Sequence, residues 1–407
     1  MNLEEIKKIE KNLDSIYKRI DDICFLNSLK VINAFWKHGL SESHFNGTTG
    51  YGYGDAGRDT LEKIYSTIFK TEDALVRGQF ISGTHALSTC LFGLLRPGDI
   101  LLSITGKPYD TLESVIGIKE NSSSLKAFNV KYKQVDLIND EFDFEKIKRV
   151  ILEEKVKVVE IQRSVGYSNR KAISIKALEK VIKFIKILEK DIIVMVDNCY
   201  CEFVSSREPT EVGADICVGS LIKNLGGGVA THGAYIVGRK DLVHLASERL
   251  NMAGEGKEVG PSLGVNKSFY QGLYMAPSVV ASSLKTAVLA SYLLEKKGTV
   301  VSPRWNDERS DIVQKIIFND ENLLIKFVQG IQMGSAVDAS VLAIASDMPG
   351  YDEKIIMASG SFTQGSSIEI SCDGPIRPPY IAYLQGGLTY DYGKIAILKA
   401  IKNTFEN

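Results

Sequence analysis

Between residues 74 and 238 the chain alternates strand-like and helix-like stretches, and this alternation limits the available folds more than any other feature. Apolar runs at Ala74–Phe80, Asp99–Thr105, Val156–Gln162 and Asp191–Val196 are each the length of a strand. Helical patterns separate them: ALSTCLFGLL, stopped by Arg96-Pro97-Gly98, a stretch starting near Thr111, then Asp143–Glu154 and Ile173–Glu189. Such alternation predicts an α/β fold built on a mostly parallel sheet. Ligands of such sheets bind at the carboxyl ends of the strands.

Three of those strand ends carry chemistry. In Asp215–Arg239 an apolar run ends at Ser220, Lys223 follows, and Gly226, Gly227 and Gly228 come next. A lysine closing a buried strand is costly unless it is used. A carbonyl cofactor would use it through a Schiff base; a solvated lysine beside a flexible loop is the plainer alternative. Asp197 closes the run Ile192–Val196 and suits a protonated ring nitrogen, or a simple turn or helix cap. Ser82-Gly83-Thr84 opens a helix, where free N–H groups and the helix dipole suit a phosphate, or an ordinary N-cap. Together the three fit a phosphorylated pyridine aldehyde.

The flanks are less regular. Ile6, Ile9, Leu13, Ile16 and Ile20 recur at helical spacing, and a second helix is expected from Asp22 through Trp36. Residues 41–60 form a Gly-rich loop holding Tyr51, Tyr53 and Arg58; this is a linker or a binding loop. Residues 251–283 are expected to be a loop able to cover a site, and a long helix is expected over about 277–297. The strand-like runs VLAIA and SIEIS and a terminal helix, YGKIAILKAIKNTF, predict an α+β unit at the C-terminus. The expected division is residues 1–60 as helical arm and Tyr/Arg loop, 61–285 as the large domain and 286–407 as the small one.

A net charge of −1 provides no bulk attraction to nucleic acid or anionic membrane, so small molecules or copies of the chain are the expected partners. No run approaches the roughly 20 apolar residues of a membrane span. The charged N-terminus has no signal-peptide core. Six cysteines without a CxxC pair read as reduced thiols of a cytoplasmic protein; Cys199-x-Cys201 reads as a strand-end pair, and no metal site is expected. A dinucleotide fingerprint GxGxxG after the first strand is missing, as is a phosphate loop GxxxxGK[ST].

The segments SGTHA, DNCYCEF and GSLIKNLGGG resemble the pyridoxal-phosphate enzymes of the aspartate-aminotransferase fold, known as fold type I. The likeness is closer to the cystathionine lyases and methionine γ-lyases. It is closest to bacterial aluminium-resistance proteins, also named cystathionine β-lyases, which share a run like EIQRSVGYSNR. The resemblance spans nearly the whole chain. It implies pyridoxal 5'-phosphate, with Lys223 as the Schiff-base lysine, Asp197 as the ring-nitrogen partner, and Gly83, Thr84 and Ser220 at the phosphate. Tyr109 matches a tyrosine stacked on the cofactor ring, able to help move a proton. Gln162 and Arg163 stand near a residue that approaches the cofactor's phenolic oxygen. Tyr51, Tyr53 and Arg58 resemble a loop lent to the neighbouring subunit's phosphate, in a homodimer or homotetramer with shared sites. The family has Tyr-x-Arg there, whereas Tyr53 stands five residues before Arg58, so the contact stays open between the two tyrosines; Tyr51 is also placed near the substrate. Ile222 replaces a hydroxyl residue before the lysine. Arg377, in DGPIRPPY, is the expected partner of the substrate carboxylate, or a structural arginine in a turn. The implied activity is carbon–sulfur cleavage of an amino acid. Transamination, another reaction of the same cofactor, and cofactor binding without catalysis are the alternatives.

Overall fold

The computed structural model describes residues 3–348 and 351–406. The chain opens with α1 (Leu3–Lys37), one unbroken helix where two were expected. Asp21 and Asp22 do not interrupt it: Leu13, Ile20, Val31 and Ala34 keep one apolar stripe running along its length into the core. After the loop come α2 (Ala56–Phe69) and β1 (Asp73–Arg77), then α3 (Gly83–Leu94), β2 (Ile100–Ser103) and α4 (Asp110–Ile116). β3 (Lys131–Gln134), α5 (Phe144–Glu153), β4 (Val156–Gln162), α6 (Ile175–Leu188) and β5 (Ile193–Asp197) follow. β6 (Ile216–Ser220) and β7 (Ala234–Gly238) complete the sheet, and α7 (Lys240–Leu250) returns across it.

The seven strands lie in the order β1-β7-β6-β5-β4-β2-β3. All neighbours are parallel except β7, which runs antiparallel to both β1 and β6. The mostly parallel α/β sheet read from the alternation is therefore present. Side chains alternate across it: Ile193 and Met195 of β5 enter a core with α3 and α7, while Val194 and Val196 enter one with α5 and α6. The helices start where local chemistry allows. Ser82, Asp143 and Ser174 each accept a hydrogen bond from the backbone N–H three residues on, capping α3, α5 and α6.

α8 (Asn266–Lys296) begins well before the expected helix, so much of the expected 251–283 loop is helical. Pro277 suggests a helix start, yet it sits inside α8, where tertiary burial outweighs the lost N–H bond. By composition α8 is also long and apolar enough to cross a membrane, contrary to the sequence reading; 72% of its most apolar stretch is buried inside the protein.

The second sheet comprises β8 (Val300–Ser302), β9 (Gln314–Ile317), β10 (Ile355–Ala358), β11 (Ser371–Pro375) and β12 (Ile381–Gln385), ordered β10-β11-β12-β9-β8 and antiparallel throughout. α9 (Glu321–Met333) and α10 (Tyr390–Phe405) cover it. Neither strand run expected here forms as predicted. VLAIA is largely exposed, with Ile344 at 68%, and makes no strand. SIEIS is mostly turn, because the Glu369 carboxylate accepts the N–H groups of Phe362 (2.7 Å) and Thr363 (2.9 Å) and folds the segment back.

Candidate active site

The strand ends of the large sheet converge on one cavity of about 270 Å³, closed on its far side by β11 and β12. Parallel register brings the carboxyl ends together: Gln162 of β4 pairs with Asp197 of β5, and Asp197 with Val218 of β6. Gly83, Thr84, Tyr109, Gln162, Asp197, Ser220 and Lys223 all line this cavity, as does Ile222.

Asp197 is 3% exposed, and its Oδ1 accepts the Cys199 N–H at 3.0 Å. Burial pushes its carboxyl above the ordinary range, against the pull of the Lys223 charge and the Cys199 N–H. The Lys223 Nζ stands 4.0 Å above the Tyr200 ring. Burial opposes its ammonium form, but Cys199, Tyr200, Asp197 and Tyr109 outweigh that and hold its pKa well above the usual lysine value.

At the opposite wall, Ser82 caps α3 and Gly83 is its first residue. A Cβ at Gly83 would lie 3.2 Å from the Ser220 Cβ and 3.4 Å from the Cys199 Sγ, so glycine leaves the helix end open to a group from the cavity. The Ser220 hydroxyl is buried without a hydrogen-bond partner among the described residues. A buried hydroxyl left unpaired is costly, and a phosphate at the α3 N-terminus would accept its hydrogen bond. The amine, the carboxylate and this orphaned hydroxyl fit pyridoxal 5'-phosphate.

Tyr109 caps the start of α4, and its hydroxyl shares a short hydrogen bond with Thr84 Oγ1. Burial raises its pKa, with Asp197 adding to the shift, so the phenol keeps its proton. The Gln162 amide braces this wall: Oε1 accepts the Tyr109 N–H at 2.9 Å and Nε2 donates to Ser164 O at 3.1 Å. Arg163 does not line the cavity; it is 1% exposed and donates to Asn198 Oδ1.

Besides Arg163, four expected residues lie elsewhere. Arg377 lines a neighbouring pocket beyond Tyr167 and Tyr383, where Nη1 pairs with Glu353 at 2.7 Å and Nη2 donates to Tyr167 O at 3.3 Å. Tyr51 and Tyr53 are 67% and 62% exposed and stack on each other with ring centroids 5.5 Å apart. Arg58 is buried behind them, donating to Gly52 O (2.8 Å), Gly260 O (3.0 Å) and Asp59 (2.8 Å). Their loop is no flexible linker. Asp55 accepts bonds from Thr48, Arg58 N, Ser262 and Asn266, which ties it to the start of α8. All six cysteines are free, and Cys199 joins the cavity lining.

The sequence reading missed much of the rest of the lining, including Asp110, Tyr167, Tyr200, Tyr351, Asp373, Tyr383 and Gln385. Tyr167 and Tyr200 lie inside segments already singled out, EIQRSVGYSNR and DNCYCEF. Asp373 opens DGPIRPPY, the segment read for Arg377, but only the arginine was taken from it. Nothing local marked Gln385.

The methionine gamma-lyase family model matches residues 2–405. A Clostridium novyi structure described as a carbon-sulfur lyase involved in aluminum resistance is 49% identical, with a TM-score of 0.93 over 97% of this chain and 94% of that one. A Listeria innocua structure, described as a "putative cystathionine beta-lyase involved in aluminum resistance", is 48% identical with a TM-score of 0.97 over the full length of both. The fold extends, at 17% identity and a TM-score of 0.63, to the pyridoxal-5'-phosphate-dependent Escherichia coli protein YhfS, covering 94% of this chain and 96% of that one. The architecture is thus that of pyridoxal-phosphate enzymes of fold type I, and the chain belongs to the methionine gamma-lyase family.

Proposed function

We propose that the chain is a pyridoxal-phosphate-dependent lyase that cleaves a carbon–sulfur bond of an amino acid. One observation carries the reading: Lys223 Nζ, the Asp197 carboxylate and the partnerless Ser220 hydroxyl surround a single cavity. When bound, pyridoxal phosphate supplies an electron sink for negative charge at the amino acid's α-carbon. Lys223 would hold its carbonyl carbon, Asp197 its ring nitrogen, and Gly83, Thr84 and Ser220 its phosphate. Asp197 is suited to this because burial gives it little water to prefer over a cationic partner.

Lys223 Nζ is the amine in the cavity, and in its neutral form it can take a proton from the α-carbon. The Tyr109 hydroxyl keeps its proton and can give it to a departing sulfur. The tyrosines of the far wall exclude water from the reacting end. Tyr51 and Tyr53, exposed on a braced loop outside their own cavity, would complete the site of a second subunit, with Arg58 holding the loop in shape. Transamination uses the same groups; the family and the relatives named as lyases favour elimination.

Lys223→Ala tests the assignment. The variant should lose both the visible absorbance of the purified protein and keto-acid release from cystathionine, methionine and cysteine. A Lys223→Ala protein that remains yellow and active would remove this lysine from the site.

A further inference from the structure

The far wall of the cavity carries polar groups that the proposed cofactor does not use. β11 and β12 pair with Asp373 opposite Tyr383 and Ser371 opposite Gln385. Residues two apart on a strand share a face, and Asp373, Tyr383 and Gln385 reach the cavity together. Asp373 is 8% exposed; its Oδ2 accepts Gln385 Nε2 at 3.0 Å, and the Tyr167 hydroxyl also bonds it. Gln385 is 4% exposed, and its Oε1 is buried with no partner among the described residues. An unpaired acceptor beside a carboxylate calls for a donor.

The charges of the lining agree. Asp110, Asp197 and Asp373 are acidic, whereas Lys223 is the one Lys or Arg among the described residues of the lining. The cofactor would engage Lys223 and Asp197. Arg377 lies beyond Tyr167 and Tyr383, ion-paired with Glu353. A substrate whose side chain ended in a carboxylate would meet Asp373 with no cation beside it. One that ended in an ammonium would meet a carboxylate and a waiting carbonyl oxygen.

We infer that this wall selects an amino acid whose side chain ends in a primary ammonium, received by the Asp373 carboxylate and Gln385 Oε1. Burial pushes the Asp373 carboxyl up to about 6, against the Tyr167 and Gln385 bonds and the Lys223 charge, so it is mostly ionised at neutral pH. The cleavage chemistry rests on the proposed lyase reading; the binding preference stands apart from it.

L-Lysine, L-norleucine and L-2-aminoadipate share one backbone and differ at the far end: ammonium, methyl, carboxylate. Titrated calorimetrically into the holoenzyme, lysine should bind at least about tenfold tighter than norleucine, and aminoadipate weakest. Asp373→Asn keeps the shape and the Tyr167 partner, and should bring the lysine-to-norleucine ratio to within about threefold. Gln385→Leu, which removes the waiting oxygen at similar volume, should lower the same ratio. Norleucine or aminoadipate binding as well as lysine to the unaltered protein would overturn the inference without any variant. So would a ratio preserved in a folded Asp373→Asn protein. Cleavage of S-(2-aminoethyl)-L-cysteine against S-propyl-L-cysteine separates the two proposals. Equal cleavage of both supports the lyase and overturns the ammonium preference; selective lysine binding with neither cleaved supports the preference and overturns the lyase.

Discussion

Glu202 lies under the site in a position that makes stability depend on pH. Its side chain is fully buried. Oε1 accepts the Tyr235 hydroxyl at 2.9 Å, while Oε2 has no partner among the described residues. Burial, aided by the like charge of Glu208, raises the carboxyl from 4.5 to about 8, against the pull of Tyr235 and Lys223. At neutral pH the group is mostly protonated when folded and ionised when unfolded. The folded state therefore binds the extra proton, and stability falls as pH rises from the unfolded value through the folded one. Between pH 6 and pH 8 this one group should remove about 2 kcal/mol of stability. Glu202→Gln keeps the acceptor for Tyr235 and cannot ionise, so its loss over that interval should be smaller by the same ~2 kcal/mol. Urea unfolding of both proteins in cofactor-free form at the two pH values measures the difference. A variant whose stability falls as steeply as the parent's would refute the reasoning, because Glu202 would then not be the group that titrates.

Two further substitutions test packing and cofactor retention. Gly272→Ala places a Cβ 2.4 Å from Gly226 O, a backbone atom that cannot swing away; overpacking of about 1–3 kcal/mol outweighs the ~1 kcal/mol gained in helix propensity, so the melting temperature should fall, and an unchanged or higher value would contradict the close packing. Ser220→Ala removes a hydroxyl with no partner. It should leave the cofactor-free chain about as stable while weakening pyridoxal-phosphate binding roughly tenfold; equal retention in equilibrium dialysis would remove Ser220 from the phosphate site.

The glycine run after Lys223 shows how far the sequence could be read. Three glycines beside a lysine suggest backbone approach to a bound group at first and, once the rest of the site is read, the turn after the lysine or a subunit interface. In the fold, a Cβ at Gly227 would lie 2.4 Å from Gly272 O, and one at Gly228 would lie 2.2 Å from the Leu388 side chain. Gly226 serves the turn itself, where a Cβ would lie 1.5 Å from Leu221 O. Gly227 and Gly228 serve contact with α8 and the segment before α10, and neither of those partners is near them in sequence. Arg377 is a similar case. Its chemistry suits a carboxylate, but Glu353 faces it across the β10–β11 pairing, and that pairing was invisible beforehand.

What the sequence determined by itself is the near wall of the site. Lys223, Asp197, Ser220 and the Gly83–Thr84 turn each sit at the end of a strand or the start of a helix, and periodicity and capping mark those ends locally. A parallel sheet then brings strand ends together without further instruction. What only the tertiary structure decided is the far wall. Asp373, Tyr383 and Gln385 face the cavity because of antiparallel register and because the second sheet closes over the first. A one-residue slip of β12 would turn Tyr383 and Gln385 away from the cavity and from Asp373, and no neighbouring residue in the sequence records that choice. The groups that would hold the cofactor are thus written along the chain, while those proposed to select the substrate emerge only from the packing of one sheet against another.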